Sequence, residues 1–414
     1  KMGSTGGFAF LVVYLILVVL VGRLLMMGEF ALGRKTGLGV GAYAKLGQKY
    51  KVVGWMAAIC PFLILGFYSV LAGMTLRYCV GFLVQIFGMD GFAGQSSSFF
   101  GYLLYDTKSM VLFLALAMLV TMVIVMGGVQ GGIEKFSKVM MPLLFFIVIG
   151  IAIYSVTLPG AKAGLDYLFN PDFSKIDGKS VAAALGQAFF SLSLGFGTIL
   201  TYASYVSKKE NVMFQSAATA VSDLLFALIA GVAIMPAVFA FGLSPESGPG
   251  LVFETLPRVF GQMPAGGFIA ILFFVALLVA ALTSSISMLE VAVAYLVEEK
   301  KFSRLWACVV LFAVCWVVGA ICSLSFGPLS DIKIDGGNIF DFFDNLSSNI
   351  LMTLGSLLTV LFVGWRLKKT DVYDEFTNGG TLSTNVKIFG VLWFLIRYIC
   401  PIAIISIFVT GLLA

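Results

Sequence analysis

The chain has 414 residues, of which 60% are hydrophobic and 11% charged, and its formal net charge is +5. With a mean hydropathy of +1.04, this composition excludes a soluble domain and indicates a polytopic membrane protein. The sequence contains no histidine, which excludes histidine-based proton relays, imidazole metal sites and most catalytic triads. The six cysteines lie in or beside apolar runs without CxxC spacing, so we interpret them as packing residues; a metal or disulfide framework is the less favoured alternative.

Apolar runs long enough to cross a bilayer predict ten transmembrane helices. These runs are 7–27, 52–84, 109–127, 139–158, 181–205, 213–241, 267–297, 305–324, 342–365 and 388–412. The connections between them alternate in basic content, with sixteen Lys and Arg residues on one side and six on the other. The positive-inside rule assigns the richer side to the cytoplasm, so both chain ends are expected outside.

The start of the chain, Gly3-Ser4-Thr5-Gly6-Gly7, is typical of a loop. Because an outside start without a signal peptide is unusual, we expect at least one helix upstream of Lys1. A genuinely outward N-terminus is the alternative. On the same outer side, the connection 242–266 holds four prolines around a short apolar piece, which favours a re-entrant hairpin or lid over a span.

The fifth run, 181–205, is interrupted by the octapeptide Phe190-Ser191-Leu192-Ser193-Leu194-Gly195-Phe196-Gly197. Two glycines and two serines in eight residues disfavour a continuous helix. Unpaired amides in hydrocarbon cost several kcal/mol each, so a lipid-facing helix gains nothing by breaking. Broken helices at membrane depth occur where the freed backbone binds something else. The octapeptide therefore predicts a solute site inside the membrane.

A second interruption is predicted near the inner end of the fourth run, where Gly132 precedes Pro142. Proline removes one backbone hydrogen bond and permits local unwinding. An ordinary kinked membrane helix is the alternative.

Three adjacent hydroxyls, Thr283, Ser284 and Ser285, follow Ala280-Ala281-Leu282 inside the run 267–297. They are typical of tight helix packing, in which Ser and Thr bond back to their own backbone. They are equally typical of a sodium site, because hard cations prefer hydroxyl and carbonyl oxygens. The residue types alone do not separate these two interpretations.

Carboxylates inside the membrane form a further group of candidates. Asp223, beside Ser222 in the run 213–241, is costly to bury and is typical of a functional site. Glu290 lies toward the inner half of its run and either snorkels or pairs with a cation.

Two further polar features lie elsewhere in the membrane runs. Asp341 and Asp344, near the outer end of 342–365, share one helical face. They are either solvated charges at a helix start or half of an ion-pair gate. Tyr68 lies in the middle of 52–84, and its buried hydroxyl needs a partner.

Taken in order, these motifs resemble the neurotransmitter:sodium symporter family, in its bacterial amino-acid-transporting branch. The residues that carry the resemblance are Gly28-Glu29-Phe30-Ala31-Leu32-Gly33-Arg34, Phe169-Asn170-Pro171-Asp172-Phe173, Phe190 to Gly197 with Thr201 to Tyr205, Leu282 to Ile286, and the Gly132/Pro142 pair. The resemblance covers the chain from Gly3 to Ala414. It implies an all-α LeuT-type fold of two inverted five-helix repeats, here with family helices two to eleven, the sixth of them broken.

The resemblance also divides the chain into segments. They are 1–158 for the rest of the first repeat, 159–180 for an outer loop, 181–365 for the second repeat with the lid 242–266, and 366–414 for an inner loop and the last helix. The family's first helix, itself broken, is expected upstream.

The resemblance implies binding sites for a substrate and for two sodium ions. The implied substrate site comprises Ile64, Tyr68, Leu71, Phe190, Ser191, Ser193, Phe196, Ser284 and Met288. In it Tyr68 would bind the substrate carboxylate, and the apolar lining would suit a neutral, hydrophobic amino acid. The implied sodium-site residues are Ser191, Ser222 and Asp223 for one ion, and Ala280, Thr283 and Ser284 for the other. A fixed carboxylate at Asp223 would replace the chloride that other members recruit.

The gates follow from the same resemblance. Tyr68 and Phe190 would form a thin outer gate, with Asp344 as an acidic member whose arginine partner lies upstream of Lys1. Glu298 and Tyr205 would belong to the inner gate, whose basic partner is also expected upstream.

The sequence thus predicts a multi-pass protein of a bacterial plasma (inner) membrane that imports an amino acid with sodium by alternating access, without chloride. The partners expected are the amino acid, sodium and lipid; no enzymatic activity, organic cofactor or nucleic acid is expected. A channel, a structural membrane component or a truncated inactive transporter is the alternative. Against a channel, the polar residues cluster near mid-depth instead of forming an open file.

Overall fold

The structure is a computed structural model that describes residues 3–88, 99–243, 249–334 and 336–413. Residues 244–248 of the predicted lid lie outside the described residues. The helices in chain order are α1 (Phe8–Thr36), α2 (Ala42–Leu46), α3 (Lys51–Ile86), α4 (Phe99–Tyr105), α5 (Thr107–Met126), α6 (Val129–Val156), α7 (Ala161–Phe169), α8 (Gly178–Ser191), α9 (Thr198–Ala203), α10 (Val212–Ala240), α11 (Leu256–Gln262), α12 (Gly266–Lys300), α13 (Arg304–Leu324), α14 (Ile339–Trp365), α15 (Lys369–Thr377) and α16 (Ser383–Thr410).

Within the described ranges, nine helices are long and apolar enough to cross a membrane: α1, α3, α5, α6, α10, α12, α13, α14 and α16. They coincide with nine of the ten predicted runs. The remaining run is divided between α8 and α9, each of which is too short to span hydrocarbon. The predicted all-α membrane fold is therefore confirmed, and the one discontinuity falls on the octapeptide.

Small residues set the distances between the central helices. α3 and α12 are the most buried of the spanning helices. A Cβ at Gly73 of α3 would lie 2.7 Å from the amide nitrogen of Leu114 in α5, and one at Gly66 would lie 2.6 Å from Val318 in α13. Without side chains at these glycines the backbones approach closely, which is how membrane helices gain packing energy.

Several spanning helices contain a π-helical turn. These turns are Val18–Gly22 in α1, Val129–Ile133 at the start of α6, Asn345–Leu351 in α14 and Leu395–Ile399 in α16. At the start of α6, Gly132 lies against the end of α5, where a Cβ would be 2.0 Å from the carbonyl oxygen of Ile124. Such turns mark helix segments that are wound less regularly, as the Gly132/Pro142 pair predicts for this end of α6.

A buried ion cluster joins three segments at the end of the bundle that the positive-inside rule assigns to the cytoplasm. Arg34, at the end of α1, is 4% exposed, and its Nε lies 2.5 Å from Oε2 of Glu375 in α15. The guanidinium also donates to the carbonyl oxygen of Glu210 at 2.7 Å, and Lys208 pairs with Glu375 as well. The loop that follows α9 is thereby fixed to α1 and α15.

Candidate functional site

The octapeptide is non-helical between Ser191, where α8 ends, and Thr198, where α9 begins. Three alternate residues there have a positive φ: Ser193 at 56°, Gly195 at 82° and Gly197 at 76°. This left-handed conformation is accessible to glycine and costly for other residues, and it stops helix propagation. The predicted break is confirmed at the predicted residues.

The break packs backbone against backbone on α14. A Cβ at Gly195 would lie 2.1 Å from Oγ of Ser356 and 2.4 Å from the carbonyl oxygen of Met352. A Cβ at Gly355 would lie 1.9 Å from the carbonyl oxygen of Gly195. Both positions therefore need glycine for space, and Gly195 needs it for conformation too.

Glu29 of α1 supplies hydrogen-bond acceptors for the interrupted helix. Its carboxylate accepts from the amide of Gly195 at 2.8 Å and from the amide of Leu200 at 3.3 Å, and the residue is 1% exposed. One side chain thus accepts hydrogen bonds from an amide before α9 and from an amide within its first turn. Buried backbone amides need such acceptors. The sequence motif includes Glu29, but its role follows only from the fold.

The outer end of α8 has its own cap. The Asp177 carboxylate accepts hydrogen bonds from the amide of Ser180 at 2.7 Å and from its hydroxyl at 2.8 Å. The hydrogen bond from the Ser180 amide, with the hydroxyl adding to it, holds the pKa of the Asp177 carboxyl below its usual value. This cap fixes where the half-helix that leads to the break begins.

A cavity of about 340 Å³ lies beside the break. Eight residues that the sequence proposed for substrate or sodium line it: Ile64, Tyr68, Phe190, Ser193, Phe196, Thr283, Ser284 and Met288. Six further lining residues were not proposed: Ile133, Ser137, Met141, Thr198, Tyr202 and Ser287. None of these side chains is charged. The cavity therefore offers aromatic and aliphatic surface with hydroxyl groups, which suits a neutral ligand with an apolar side chain.

The six additional residues extend the cavity along helix faces. Ile133, Ser137 and Met141 are spaced by four on α6, and Thr198 and Tyr202 are spaced by four on α9. This spacing places each set on one face. The helical period indicates which residues share a face, but the sequence does not show which face meets the cavity.

Two residues proposed for the substrate site do not line the cavity. Leu71 is partly buried against the helix core. Ser191 instead donates to Oδ1 of Asp223 at 2.6 Å, while Tyr14 of α1 donates to Oδ2 at 3.1 Å. Asp223 therefore lies directly beside the end of α8, whereas its neighbour Ser222 is exposed.

The proposed second cation site is formed within α12. Thr283 donates to the carbonyl oxygen of Ala280 at 2.9 Å, and Ser284 faces the cavity. These are neutral hydroxyl and carbonyl oxygens, the donors that a sodium ion prefers. The bond from Thr283 to its own helix is also the one expected of tight helix packing, so the sodium site formed by Ala280, Thr283 and Ser284 stays a prediction.

Below the cavity, an ion pair connects four segments at the inner end. Glu290, whose side chain is fully buried, pairs with Arg304 at the start of α13 and accepts from the Tyr205 hydroxyl at 3.2 Å. Arg304 also donates through Nη2 to the carbonyl oxygen of Val125 at 2.7 Å. Glu298 lies apart from this pair and accepts from the amide of Gly39 at 3.1 Å.

These contacts bear on the gates proposed from the sequence. Of the alternatives for Glu290, pairing is the one found. Tyr205 donates to Glu290, which pairs with Arg304; the place of Tyr205 in an inner gate stays a prediction. At the outer end, Asp344 is exposed and accepts from the Ser348 hydroxyl at 2.8 Å; among the described residues it forms no ion pair. Phe190, 42% exposed, borders the cavity together with Tyr68.

The model of the sodium:neurotransmitter symporter family matches residues 104–414. A sodium-dependent transporter of Bacillus subtilis is 38% identical over 98% of this chain and 90% of its own length. The chain belongs to the sodium:neurotransmitter symporter family. A further sodium-dependent transporter, from Haemophilus influenzae, is 34% identical over 99% of this chain and 92% of its own length.

A solved structure agrees with this membership. The crystal structure of MhsT in complex with L-phenylalanine matches with a TM-score of 0.89 and 41% identity, covering 99% of this chain and 93% of that one. The predicted family and LeuT-type fold are confirmed. This member of the sodium:neurotransmitter symporter family is a sodium-dependent, multi-pass symporter and not an enzyme.

Proposed function

We propose that this symporter imports a neutral, hydrophobic amino acid together with two sodium ions across a bacterial plasma (inner) membrane. The observation that carries the proposal is the uncharged cavity at the helix break, lined by residues of the octapeptide and by hydroxyl-bearing residues of α12. The phenylalanine bound to MhsT supports an amino acid with a large apolar side chain.

The cavity divides into a polar and an apolar part in this proposal. The substrate carboxylate would take hydrogen bonds from Tyr68 and from the break near Ser193, and the side chain would lie among Ile64, Phe196 and Met288. Apolar surface favours hydrophobic side chains by about 25 cal/mol per Å² removed from water. A charged side chain would be left without a partner, which is costly in a dry site.

The two sodium ions would bind on either side of this cavity. One would use Ser191, with the Asp223 carboxylate supplying negative charge nearby. The other would use the Ala280 carbonyl with Thr283 and Ser284. Inward movement of positive charge draws energy from the membrane potential, about 2.3 kcal/mol per charge per 100 mV.

Alternating access would use the inner end of the cavity. Ile133, Ser137 and Met141 line it from α6, whose first turn is π-helical beside Gly132. Unwinding of this end, with release of Tyr205 from Glu290, would open a path to the cytoplasm. Sodium would stabilise the outward-open state, and substrate would allow closure, with Phe190 and Tyr68 as the outer gate.

Sodium-dependent binding tests the proposal. Purified full-length protein in lipid nanodiscs is expected to bind radiolabelled L-phenylalanine in sodium buffer and to lose at least about tenfold in affinity in potassium buffer, a coupling of about 1.4 kcal/mol. Leucine should compete for the site, and lysine should not. Equal binding in both buffers, or competition by lysine, would contradict it.

Chloride independence is a separate prediction that rests on Asp223. Uptake by the wild type is expected to be the same in chloride and gluconate, because the carboxylate already balances the sodium charge. Asp223→Ser removes this charge, and interactions of unit charges 4 Å apart are worth about 4 kcal/mol near a protein surface, so its uptake should fall at least about tenfold in gluconate and recover in chloride.

The matched control is Thr219→Ala, which removes an exposed hydroxyl from the same helix. It should leave uptake unchanged in both salts. A wild-type rate that rises with chloride at fixed sodium would contradict the prediction.

A further inference from the structure

A stacked arginine lies at the perimeter of the helix bundle, away from the cavity. The guanidinium carbon of Arg397 in α16 is 4.5 Å from the ring centre of Trp365, at the end of α14, and 5.5 Å from that of Tyr398. The two aromatic rings meet edge to face at 5.6 Å. The Trp365 indole also donates to the Arg397 carbonyl oxygen at 3.0 Å. The planar cation is therefore held in one orientation by two rings and by its own backbone.

Arg397 has no acidic partner among the described residues, where each ion pair involves other cations. Its Nε is buried and forms no hydrogen bond. Arg366, which follows Trp365 in the sequence, is exposed; its guanidinium is 5.5 Å from the Tyr50 ring, and it too forms no ion pair in the described part of the chain. Arg397 thus stacks on Trp365 and Arg366 follows Trp365 in the sequence, and neither guanidinium has a counter-charge among the described residues.

The surroundings are those of a membrane interface. Trp365 is 52% and Tyr398 40% exposed, and exposed Trp and Tyr concentrate where headgroups meet hydrocarbon. Exposed apolar side chains lie along α16 on both sides of Arg397, with Val391 and Phe394 before it and Ile402 and Ile405 after it. Because the connection 366–387 belongs to the basic, inner set, the interface is that of the cytoplasmic leaflet.

We propose that Arg397, Trp365, Tyr398 and Arg366 bind the headgroup of an anionic phospholipid of the cytoplasmic leaflet. A guanidinium presents paired N–H donors that match the oxygens of a phosphodiester, and Arg397 would donate them from beside the Trp365 ring. The acyl chains would lie along the exposed apolar face of α16. Two cations without protein counter-charges favour a lipid with net negative charge over a zwitterionic one.

Quenching of Trp365 by brominated lipid tests the proposal. The sequence has five tryptophans, so the share of Trp365 is obtained by subtracting the signal of Trp365→Phe. Full-length protein is placed in phosphatidylcholine vesicles that contain increasing fractions of phosphatidylglycerol, with bromines on the acyl chains of only one lipid at a time. We compare the fraction of brominated lipid that reduces the Trp365 fluorescence by half. This fraction should be about fivefold lower for brominated phosphatidylglycerol than for brominated phosphatidylcholine.

Charge variants separate a site from a general surface effect. Arg397→Gln should remove the preference for phosphatidylglycerol, and Arg397→Lys, which keeps the charge but not the planar stack, should reduce it. Lys387→Gln removes an exposed cation from the same helix and should change nothing. Equal half-quenching fractions for the two lipids in the wild type would overturn the proposal without reference to any variant, as would equal losses in Arg397→Gln and Lys387→Gln.

Free phosphate is distinguished in a final arm. Inorganic phosphate added at matched ionic strength should leave the preference intact, because it lacks the acyl chains. If phosphate abolishes the preference where chloride does not, the site binds phosphate and the lipid assignment fails.

Discussion

The substitution Gly195→Ala is expected to abolish sodium-dependent substrate binding. The new Cβ would overlap Oγ of Ser356 and the carbonyl oxygen of Met352 in α14, and the φ of +82° disfavours any side chain. Strain at a left-handed residue costs about 1–3 kcal/mol, and overpacking adds about 1–3 kcal/mol. Because the same residue donates its amide to Glu29, a shift of the backbone would also cost that hydrogen bond. Radioligand binding and the unfolding temperature in nanodiscs would both report the loss.

The matched control is Gly186→Ala, in the regular part of α8. A Cβ there meets nothing within 4 Å, and its φ is not in the left-handed region. Since alanine is favoured over glycine in a helix by about 1 kcal/mol, this variant should bind normally and unfold at the same or a higher temperature. Wild-type affinity in Gly195→Ala would show that the break does not need the observed conformation.

The second large effect is expected from Arg304→Gln. The Glu290 side chain is fully buried, so removal of its cation leaves an uncompensated charge, at a cost of about 3–5 kcal/mol. Since this pair also holds Tyr205 at the inner end, substrate uptake should fall by at least about tenfold, with inward-open states more populated. Accessibility of a cysteine introduced at Ser137, measured by labelling from the inside, would report that shift.

The double variant Glu290→Gln with Arg304→Gln tests the reason for the loss. Two neutral amides have no uncompensated charge, so the double variant should be more stable than Arg304→Gln alone. Lys138→Gln is the control: it breaks an exposed i,i+4 ion pair with Glu134, which is worth about 0–1 kcal/mol. A double variant no more stable than the single one would mean that Arg304 acts through its bonds to Val125, independently of Glu290.

The sequence predicted the features that are encoded locally. The break is predicted from the two glycines and two serines of the octapeptide, and three of these four residues, Ser193, Gly195 and Gly197, adopt a positive φ. Hydropathy alone located the spanning helices because the bilayer fixes their length. Of the eight predicted residues that line the cavity, five belong to motifs quoted for the family: Phe190, Ser193, Phe196, Thr283 and Ser284. Ile64, Tyr68 and Met288 lie outside those motifs and were implied by the resemblance as a whole.

What the sequence could not predict depends on which helix faces meet. Tyr14 donates a hydrogen bond to Asp223, which lies 209 positions away in the sequence, and no local pattern indicates that contact. Glu29 is in a recognisable motif, yet its use as an acceptor for Gly195 follows only from the position of α1 beside the break. Arg304 lies just outside the membrane run, where it is one of several basic residues of an inner connection; only the fold distinguishes it as the partner of Glu290.

The contact between Gly195 and Gly355 also has a consequence for the order in which the protein assembles. The two glycines are separated by 160 positions, so α14 is not yet synthesised when the segment of α8 and α9 enters the bilayer. Glu29 precedes both and can accept a hydrogen bond from the Gly195 amide from the start, whereas α14, against which the glycine packs, is synthesised later. A nascent chain that ends before α14 therefore has a break supported on one side only, and the native cavity wall forms late in biogenesis.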